Sequence, residues 1–388
     1  MKRKIVMLYP MSFRPYQGRY LRAYNQAQAL LAAGHDVQVV CWDRECQSPE
    51  TEDVNGIQVK RFAIKAGVGQ GPRKNGINVA RFNSKVLNYL LRHDYDVVHC
   101  CNLDAMVTGL TAARLRRKKA VLDLCEPEYY GFWDRKYAWI LNVIGRMEKG
   151  LARRFDHVFV HNLYQVEKFR AAGVNRLTQV GSYPNRTMLR DAIPERHREE
   201  VVIGRLGTIY EDNGMEELVA GFHRLLERAA KSGSGVKYKL FLAGRVYDSY
   251  RPTLEALLEP LAGYVEQSGA YQATDLPRLY DAIDISTMIY CRNSWFKNVT
   301  PTKLFDSMIN GVPVLANAIG EVPQIVNEGP CGLIVDESDP DSICDGIERL
   351  AGNPELHRQM AERSLQLARE KYTWEAYQDQ FLAAYNAL

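Results

Sequence analysis

No apolar run in this 388-residue chain approaches the roughly 18–20 residues that a membrane-spanning helix needs, so no transmembrane helix is expected. A leader peptide is not expected either. MKRKIVMLYPMSFR opens with a basic cluster and an apolar stretch, but Pro10 and Arg14 interrupt it and no small-residue cleavage site follows. That start reads as a first β-strand of a cytoplasmic protein. The eight cysteines, at 41, 46, 100, 101, 125, 291, 331 and 344, form no CxxC pair. Their scatter favours reduced thiols over a disulfide or zinc framework. HExxH is absent, and His157 and His161 lie four apart in HVFVH, a strand pattern where packing is a simpler role than metal binding. There is no G-x-S-x-G elbow. No RNP, helix-turn-helix or zinc-finger pattern supports a nucleic-acid partner.

What is present is ordinary in bulk and uneven in detail. Apolar residues make up 46% and charged residues 25%, the balance of a chain that buries a core. The length suggests two or three domains, with two the simplest division. The net charge of +4 hides an asymmetry: residues 1–185 carry 29 Lys/Arg against 16 Asp/Glu, and residues 186–388 carry 21 against 30. The first part is therefore at +13 and the second at −9, which points an anionic partner at the first.

Short β-rich runs alternate with helix-period segments throughout. The first series of strands is expected at 4–9, 36–41, 58–62, 96–100, 120–124 and 157–160, and the second at 201–206, 239–243, 264–267, 283–287, 312–316 and 332–335. Such alternation favours parallel sheets covered by helices on both faces. YPNRTMLRDAIPERHREE, polar and aperiodic with two prolines, reads as the linker between them. The expected division is 1–185, a linker at 186–200, 201–372, and a closing amphipathic helix at 373–388.

The most informative segment is NVTPTKLFDSMINGVPVLANAIGEVPQIV. Thr300 has the chemistry of an N-cap and Pro301 that of a first helical residue. The amides of Thr302 and Lys303 would then face out of the helix start beside the Lys303 ammonium, a site for a phosphate. Asp306, one turn on, could accept hydrogen bonds from ribose hydroxyls. GVGQGPRKNG (67–76) lacks the G-x-G-x-x-G spacing and reads as a surface loop, with a lid carrying Arg73 and Lys74 as the alternative. EPEYYGFWDRKYAW (126–139) puts six aromatics beside Glu126, Glu128 and Asp134 directly after a strand. It suits sugar binding, through Glu126, Tyr129 and Tyr130, or insertion of Tyr129, Tyr130, Phe132 or Trp133 into a membrane interface. RLRRKK (114–119) and the helix at 137–154, with Arg146, Lys149, Arg153 and Arg154, supply cations for an anionic lipid surface or a lipid-linked phosphate.

Several segments in order resemble the retaining GT-B glycosyltransferases of family four: LLAAGHDVQVV, DVVHCCNLDA, YPNR, FLAGR, SGAYQATDLPRLYDAIDIST, KLFDSMINGVPVLAN with GEVPQIV, and YTWEAYQDQFLAAY. The resemblance spans nearly the whole chain. It implies two doubly wound Rossmann-like domains facing across a cleft, with the C-terminal helix crossing back to the first. It also implies transfer of a sugar from a nucleotide-diphosphate donor to a glycan or lipid-linked acceptor. No metal-ligand set is evident in the sequence, so no metal or other cofactor is expected, and the basic first half with its aromatics predicts peripheral attachment to the inner face of a membrane. By position, the catalytic residues implied are Asn298 and Lys303. The donor would meet Gly207, Thr208, Asn213, Arg245, Tyr271, Thr300, Thr302, Lys303 and Asp306, and the acceptor Gly18, Arg19, Glu126, Tyr129 and Tyr130. The match departs from the family where charge matters. Its first Glu of E-x7-E falls on Asn298 and the second on Asp306, the diphosphate-clamping Arg and Lys fall on Thr208 and Asn213, and the cleft His falls near Cys125. Either Lys303, Arg205, Arg245 or Arg19 restores the cationic clamp, or donor chemistry is lost. An inactive nucleotide- or glycan-binding partner and a GT-B sugar-nucleotide epimerase are the rival readings.

Overall fold

A computed structural model describes residues 2–13, 20–66, 72–125, 138–193, 200–233, 235–291 and 298–388. Two compact units emerge: residues 1–182 with 377–388, and residues 183–376.

The first unit is built on an eight-stranded sheet: β1 (Lys4–Tyr9), β2 (Asp36–Asp43), β3 (Thr51–Val54), β4 (Ile57–Ala63), β5 (Val97–Cys101), β6 (Lys119–Leu124), β7 (His157–Val160) and β8 (Leu177–Gln179). Its spatial order is β3-β4-β2-β1-β5-β6-β7-β8, parallel except for the β3–β4 hairpin. The central strands are buried on both faces, as KIVMLY and VVHCC show, because helices cover both sides, and His99 is the buried polar side chain of the second. Those helices are α1 (Tyr20–Ala32), α2 (Pro72–Arg92), α3 (Asn102–Arg116), α4 (Ala138–Ala152) and α5 (Leu163–Ala171).

The second unit repeats the plan with β9 (Glu200–Leu206), β10 (Lys237–Ala243), β11 (Val265–Gly269), β12 (Ile285–Met288), β13 (Val314–Asn317) and β14 (Gly332–Val335). Its order, β11-β10-β9-β12-β13-β14, is all parallel and reverses between β9 and β12. Ligands bind at such a switch point, outside the carboxyl ends of the strands. Its helices are α6 (Met215–Ser232), α7 (Arg251–Leu258), α8 (Leu276–Asp281), α9 (Thr302–Ile309), α10 (Val322–Glu328), α11 (Pro340–Ala351) and α12 (Pro354–Lys371). The closing helix, α13 (Glu375–Asn386), places Phe381 and Tyr385 against Phe159 of β7, with ring centroids 4.9 and 6.2 Å away.

Three departures from the sequence reading have local causes. The polar strand β3 is held by a hairpin whose Asn55-Gly56 turn takes φ of 53° and 85°, and its exposed edge position explains the missing apolar alternation. Helix α2 starts at Pro72, inside the loop expected at 67–76, because proline suits a first helical turn. Among its described residues the linker carries a 3-10 turn, Arg186–Met188. His157 and His161 serve packing: the His157 ring bonds the Thr178 hydroxyl at 2.9 Å, and His161 accepts from the Ser182 amide at 3.2 Å.

Candidate functional site

In the second unit, the loops after β9, β10, β12 and β13 leave the carboxyl edge of the sheet beside the start of α9. Helix α9 begins at Thr302, one residue later than expected, with Pro301 at the cap position and no side-chain cap. Thr300 is therefore not the N-cap. Its hydroxyl donates to Glu321 Oε2 at 2.8 Å, tying the approach to α9 to the loop before α10. Ser307 then fastens the first turn from within, donating to the Lys303 carbonyl at 2.8 Å and lying 2.7 Å from the Ser286 hydroxyl of β12. The opening amides of α9, those of Thr302 and Lys303, stand at the positive end of the helix dipole.

Lys303 is fixed by a glycine. A Cβ on Gly207 would lie 1.9 Å from Lys303 Cε, and Gly207 has φ of 115°. Gly244 repeats the device one loop away: its Cβ would fall 1.9 Å from the Gly207 carbonyl oxygen. The Lys303 side chain thus lies directly on the backbone that leaves β9. Its ammonium also reaches Tyr290, with Nζ 6.0 Å from the ring centroid. Burial pushes the Tyr290 phenol up, but the charges of Lys303 and Arg205, and their hydrogen bonds to it, bring it below its ordinary value.

Arg205 does not act as a free clamp. It is 1% exposed, donates to the Asn213 carbonyl at 2.8 Å and to Asn213 Oδ1 at 3.0 Å, and stacks 4.7 Å from the Tyr290 ring centroid. Arg205 and Asn213 therefore support the site from beneath. Asn213, expected to touch the donor, is buried against Arg205 instead. Thr208 is half-buried beside Gly207, and Arg245 is exposed with its guanidinium 5.9 Å from the Tyr247 ring centroid. Asn298 and Tyr271 are half-buried and Thr302 is exposed.

Asp306 is half-buried on α9, where burial pushes its carboxyl up to about 7 against the opposing pull of Lys303. Tyr271 is itself raised by burial and then by the charge of Asp306, which places the two as neighbours. The folded chain therefore keeps a proton on Asp306 across a range, from about pH 4 to about pH 7, where the unfolded chain has released it. Stability from this group falls as pH rises through that range. Asp306→Asn should remove the slope, so thermal midpoints at acidic and mildly alkaline pH should show the variant gaining on the parent as pH rises. Parallel curves would contradict the assignment.

The first unit holds a buried polar network at the carboxyl end of β6. Arg22 of α1 grips Asp123 through both oxygens, with Nε to Oδ2 at 3.0 Å, and also donates to the Val180 carbonyl. Gln26 adds a bond to Asp123 Oδ2 at 3.0 Å. His99 Nε2 stands 3.6 Å from the same oxygen, and its Nδ1 shares a 2.5 Å hydrogen bond with the Tyr385 hydroxyl of α13. Burial would raise the Asp123 carboxyl, but Arg22 and then His99 hold it far below the usual range. Donor atoms of His99, Cys101 and Asp123 lie within 4.8 Å of one another. Arg22 already takes both Asp123 oxygens, however, so an added cation would sit against a guanidinium, and the set does not fit a metal. Sequence reasoning missed this network. The signals were a carboxylate in the apolar strand KAVLDL and a histidine in VVHCC. Cys125, at the position of the family's cleft His, has its thiol 3.5 Å from Asp123 Oδ2. Gly18, Arg19, Glu126, Tyr129 and Tyr130, expected to meet an acceptor, lie outside the described residues, as do Phe132 and Trp133.

Residues 18–181 match the family model of a glycosyl transferase 4-like domain, and residues 197–353 that of the glycosyl transferases group 1. An uncharacterized glycosyltransferase of Methanocaldococcus jannaschii is 23% identical over 92% of this chain and 91% of its own length. A D-inositol 3-phosphate glycosyltransferase of Corynebacterium urealyticum is 30% identical, but the match spans only 29% of this chain and 26% of that relative. Among solved structures, sucrose-phosphate synthase from Thermosynechococcus elongatus superposes with a TM-score of 0.81 at 17% identity, over 99% of both chains. Anabaena HepE in complex with UDP and glucose does so at 0.71 and 16%, over 100% of both.

Proposed function

We propose, on the premise that the chain belongs to the GT-B glycosyltransferases, that it moves a sugar from a nucleotide-diphosphate donor to a glycan or lipid-linked acceptor with retention of configuration. The donor would lie on the second unit and the acceptor on the first. The observation that carries this reading is Lys303, laid over Gly207 at the opening of α9 with Asp306 one turn further on. The ammonium and the first amides of α9 are aimed where negative charge grows as the bond from the anomeric carbon to the diphosphate oxygen breaks. Asp306 offers its carboxyl to the ribose hydroxyls. The departing phosphate oxygen takes the acceptor hydroxyl proton on the same face, while the acceptor oxygen bonds the anomeric carbon. No protein nucleophile and no metal is needed, and the protein's part is orientation and charge stabilisation. Structural neighbours solved with UDP and glucose support a nucleotide-sugar donor. Transfer assays with UDP-, GDP-, dTDP- and ADP-sugars, with the anomeric product read by NMR, test the reading. Failure of every donor would overturn it.

A binding-only role gains weight from one fact: Arg205 and Asn213 bond each other, and Thr208 and Asn213 stand at the positions of the family's diphosphate-clamping Arg and Lys. Thr208→Arg separates the two readings. In a site rewired around Lys303, the added cation should leave donor affinity unchanged or lower it through crowding. A large gain would show that the charge was simply lost, and would favour the binding partner.

A further inference from the structure

Two cations of the second unit converge on one phenol. Tyr290 stands two residues past the end of β12 and is 1% exposed. The Arg205 guanidinium lies 4.7 Å from its ring centroid and the Lys303 ammonium 6.0 Å from it. Both cations also hydrogen-bond its hydroxyl. Its backbone is pinned as firmly. The Asn317 carboxamide accepts from the Tyr290 amide at 3.0 Å and donates to the Tyr290 carbonyl at 2.8 Å, which ties the loop after β12 to the end of β13. From the loop before α6, Gly214 packs so closely that a Cβ on it would fall 2.8 Å from Tyr290 Cα. Ring and backbone are therefore fixed before any ligand arrives.

The partners of these cations are unusual. A charge inside a protein is normally paired with an opposite one. Arg205 is buried and instead donates to three neutral oxygens, the Asn213 carbonyl, Asn213 Oδ1 and the Thr287 carbonyl. Lys303 has bare backbone under its stem at Gly207 and the phenol at its tip. Asp306 also acts on Lys303 through its charge, but burial pushes that carboxyl up to about 7, so the opposition is weak below that pH. Arg292 and Lys297, which follow Tyr290 in the sequence, lie outside the described residues. A lysine stem is long and flexible, and holding it in one place removes rotamer freedom. A carboxylate would hold the ammonium by cancelling its charge. A protonated phenol holds it and leaves the charge for an incoming anion.

We propose that Tyr290 is the positioning residue of the donor site, its hydroxyl fixing the Lys303 ammonium over Gly207. Asn213, at the position of the family's clamping Lys, then acts on the diphosphate indirectly, through Arg205, Tyr290 and Lys303 in turn. The inference rests on the donor site proposed above. Calorimetric titration with UDP, GDP, dTDP and ADP, continued with the tightest of them and its nucleoside, tests it. Tyr290→Phe keeps the ring and the Arg205 stack but loses the hydroxyl. It should lower nucleoside diphosphate affinity roughly 10-fold and leave nucleoside affinity at the parent's value. In a Lys303→Ala background the same substitution should have no further effect, because Tyr290 acts through that ammonium. Tyr290→Leu, which removes the ring as well, should lower the thermal midpoint. Tyr290→Phe should keep the midpoint of the parent without keeping its affinity. Undiminished diphosphate affinity in Tyr290→Phe, with Lys303→Ala binding weakly, would overturn the positioning role and leave the donor site standing. So would an equal loss of nucleoside affinity, which marks a packing residue, or fully additive losses in the double variant. A parent that binds none of the four, or Lys303→Ala binding as tightly as the parent, would overturn both readings.

Discussion

Replacing Lys303 with alanine should weaken nucleotide-diphosphate binding by about 1.5–3 kcal/mol, the range for hydrogen bonds to charged groups, and leave nucleoside binding unchanged. The selectivity follows from placement. Lys303 stands at the first turn of α9, where the proposed diphosphate would meet it, whereas Asp306 is one turn further along the helix, where the ribose is proposed to lie. Asp306→Ala should therefore weaken nucleosides as well as nucleotides. Gly207→Ala offers an independent route to the same loss, because its new Cβ would fall 1.9 Å from Lys303 Cε at a φ of 115°. The backbone cannot give way cheaply, since Gly244 closes on the Gly207 carbonyl from the other side. Calorimetry with nucleoside and nucleotide for all three variants checks the pattern. Unchanged nucleotide affinity in Lys303→Ala and Asp306→Ala together would remove the donor site from this end of the sheet.

The largest effect on stability is expected at Arg22. Arg22→Met leaves the Asp123 carboxylate buried without its principal partner, and breaking a buried pair from one side costs about 3–5 kcal/mol. Adding Asp123→Leu should recover much of that, since the uncompensated charge is then gone. Acidity should separate the variants further. In the parent, the depressed Asp123 carboxyl contributes stability above about pH 4 that is lost as pH falls. In Arg22→Met the carboxyl takes up a proton readily, so its deficit should shrink toward low pH. Urea midpoints at neutral and acidic pH measure this. A single variant no weaker than the double would mean that Gln26 and His99 alone satisfy Asp123.

The fold could be read from the sequence because its strands are buried on both faces. Runs such as KIVMLY have almost no polar side to confuse them, and helix-period segments between them leave few other arrangements. Edges were harder. TEDV pairs through its backbone on an exposed hairpin and carries almost no pattern, and Leu177–Gln179 is too short to show one.

The site was partly legible. Lys303 and Asp306 stand out because a Thr-Pro-Thr-Lys start followed by a carboxylate one turn later has a local reason, the helix N-terminus. Thr300 misled because its hydroxyl has a better partner in Glu321, far along the chain. Arg205 and Asn213 misled for a similar reason: whether a cation points outward or bonds its neighbour depends on β12 and Tyr290, which spacing alone does not supply. The Arg22–Asp123 pair joins residues 101 positions apart and leaves only a single charge in an apolar strand as its trace.

A crystal structure of the chain soaked with the nucleotide sugar that the donor panel selects tests the central claim most directly. The account predicts the diphosphate at the opening of α9, within hydrogen-bond reach of Lys303 Nζ and the Thr302 and Lys303 amides, with the ribose hydroxyls on Asp306. A nucleotide bound away from the β9–β12 switch point, or at it with Lys303 still turned onto Tyr290 and no contact to phosphate, would contradict it.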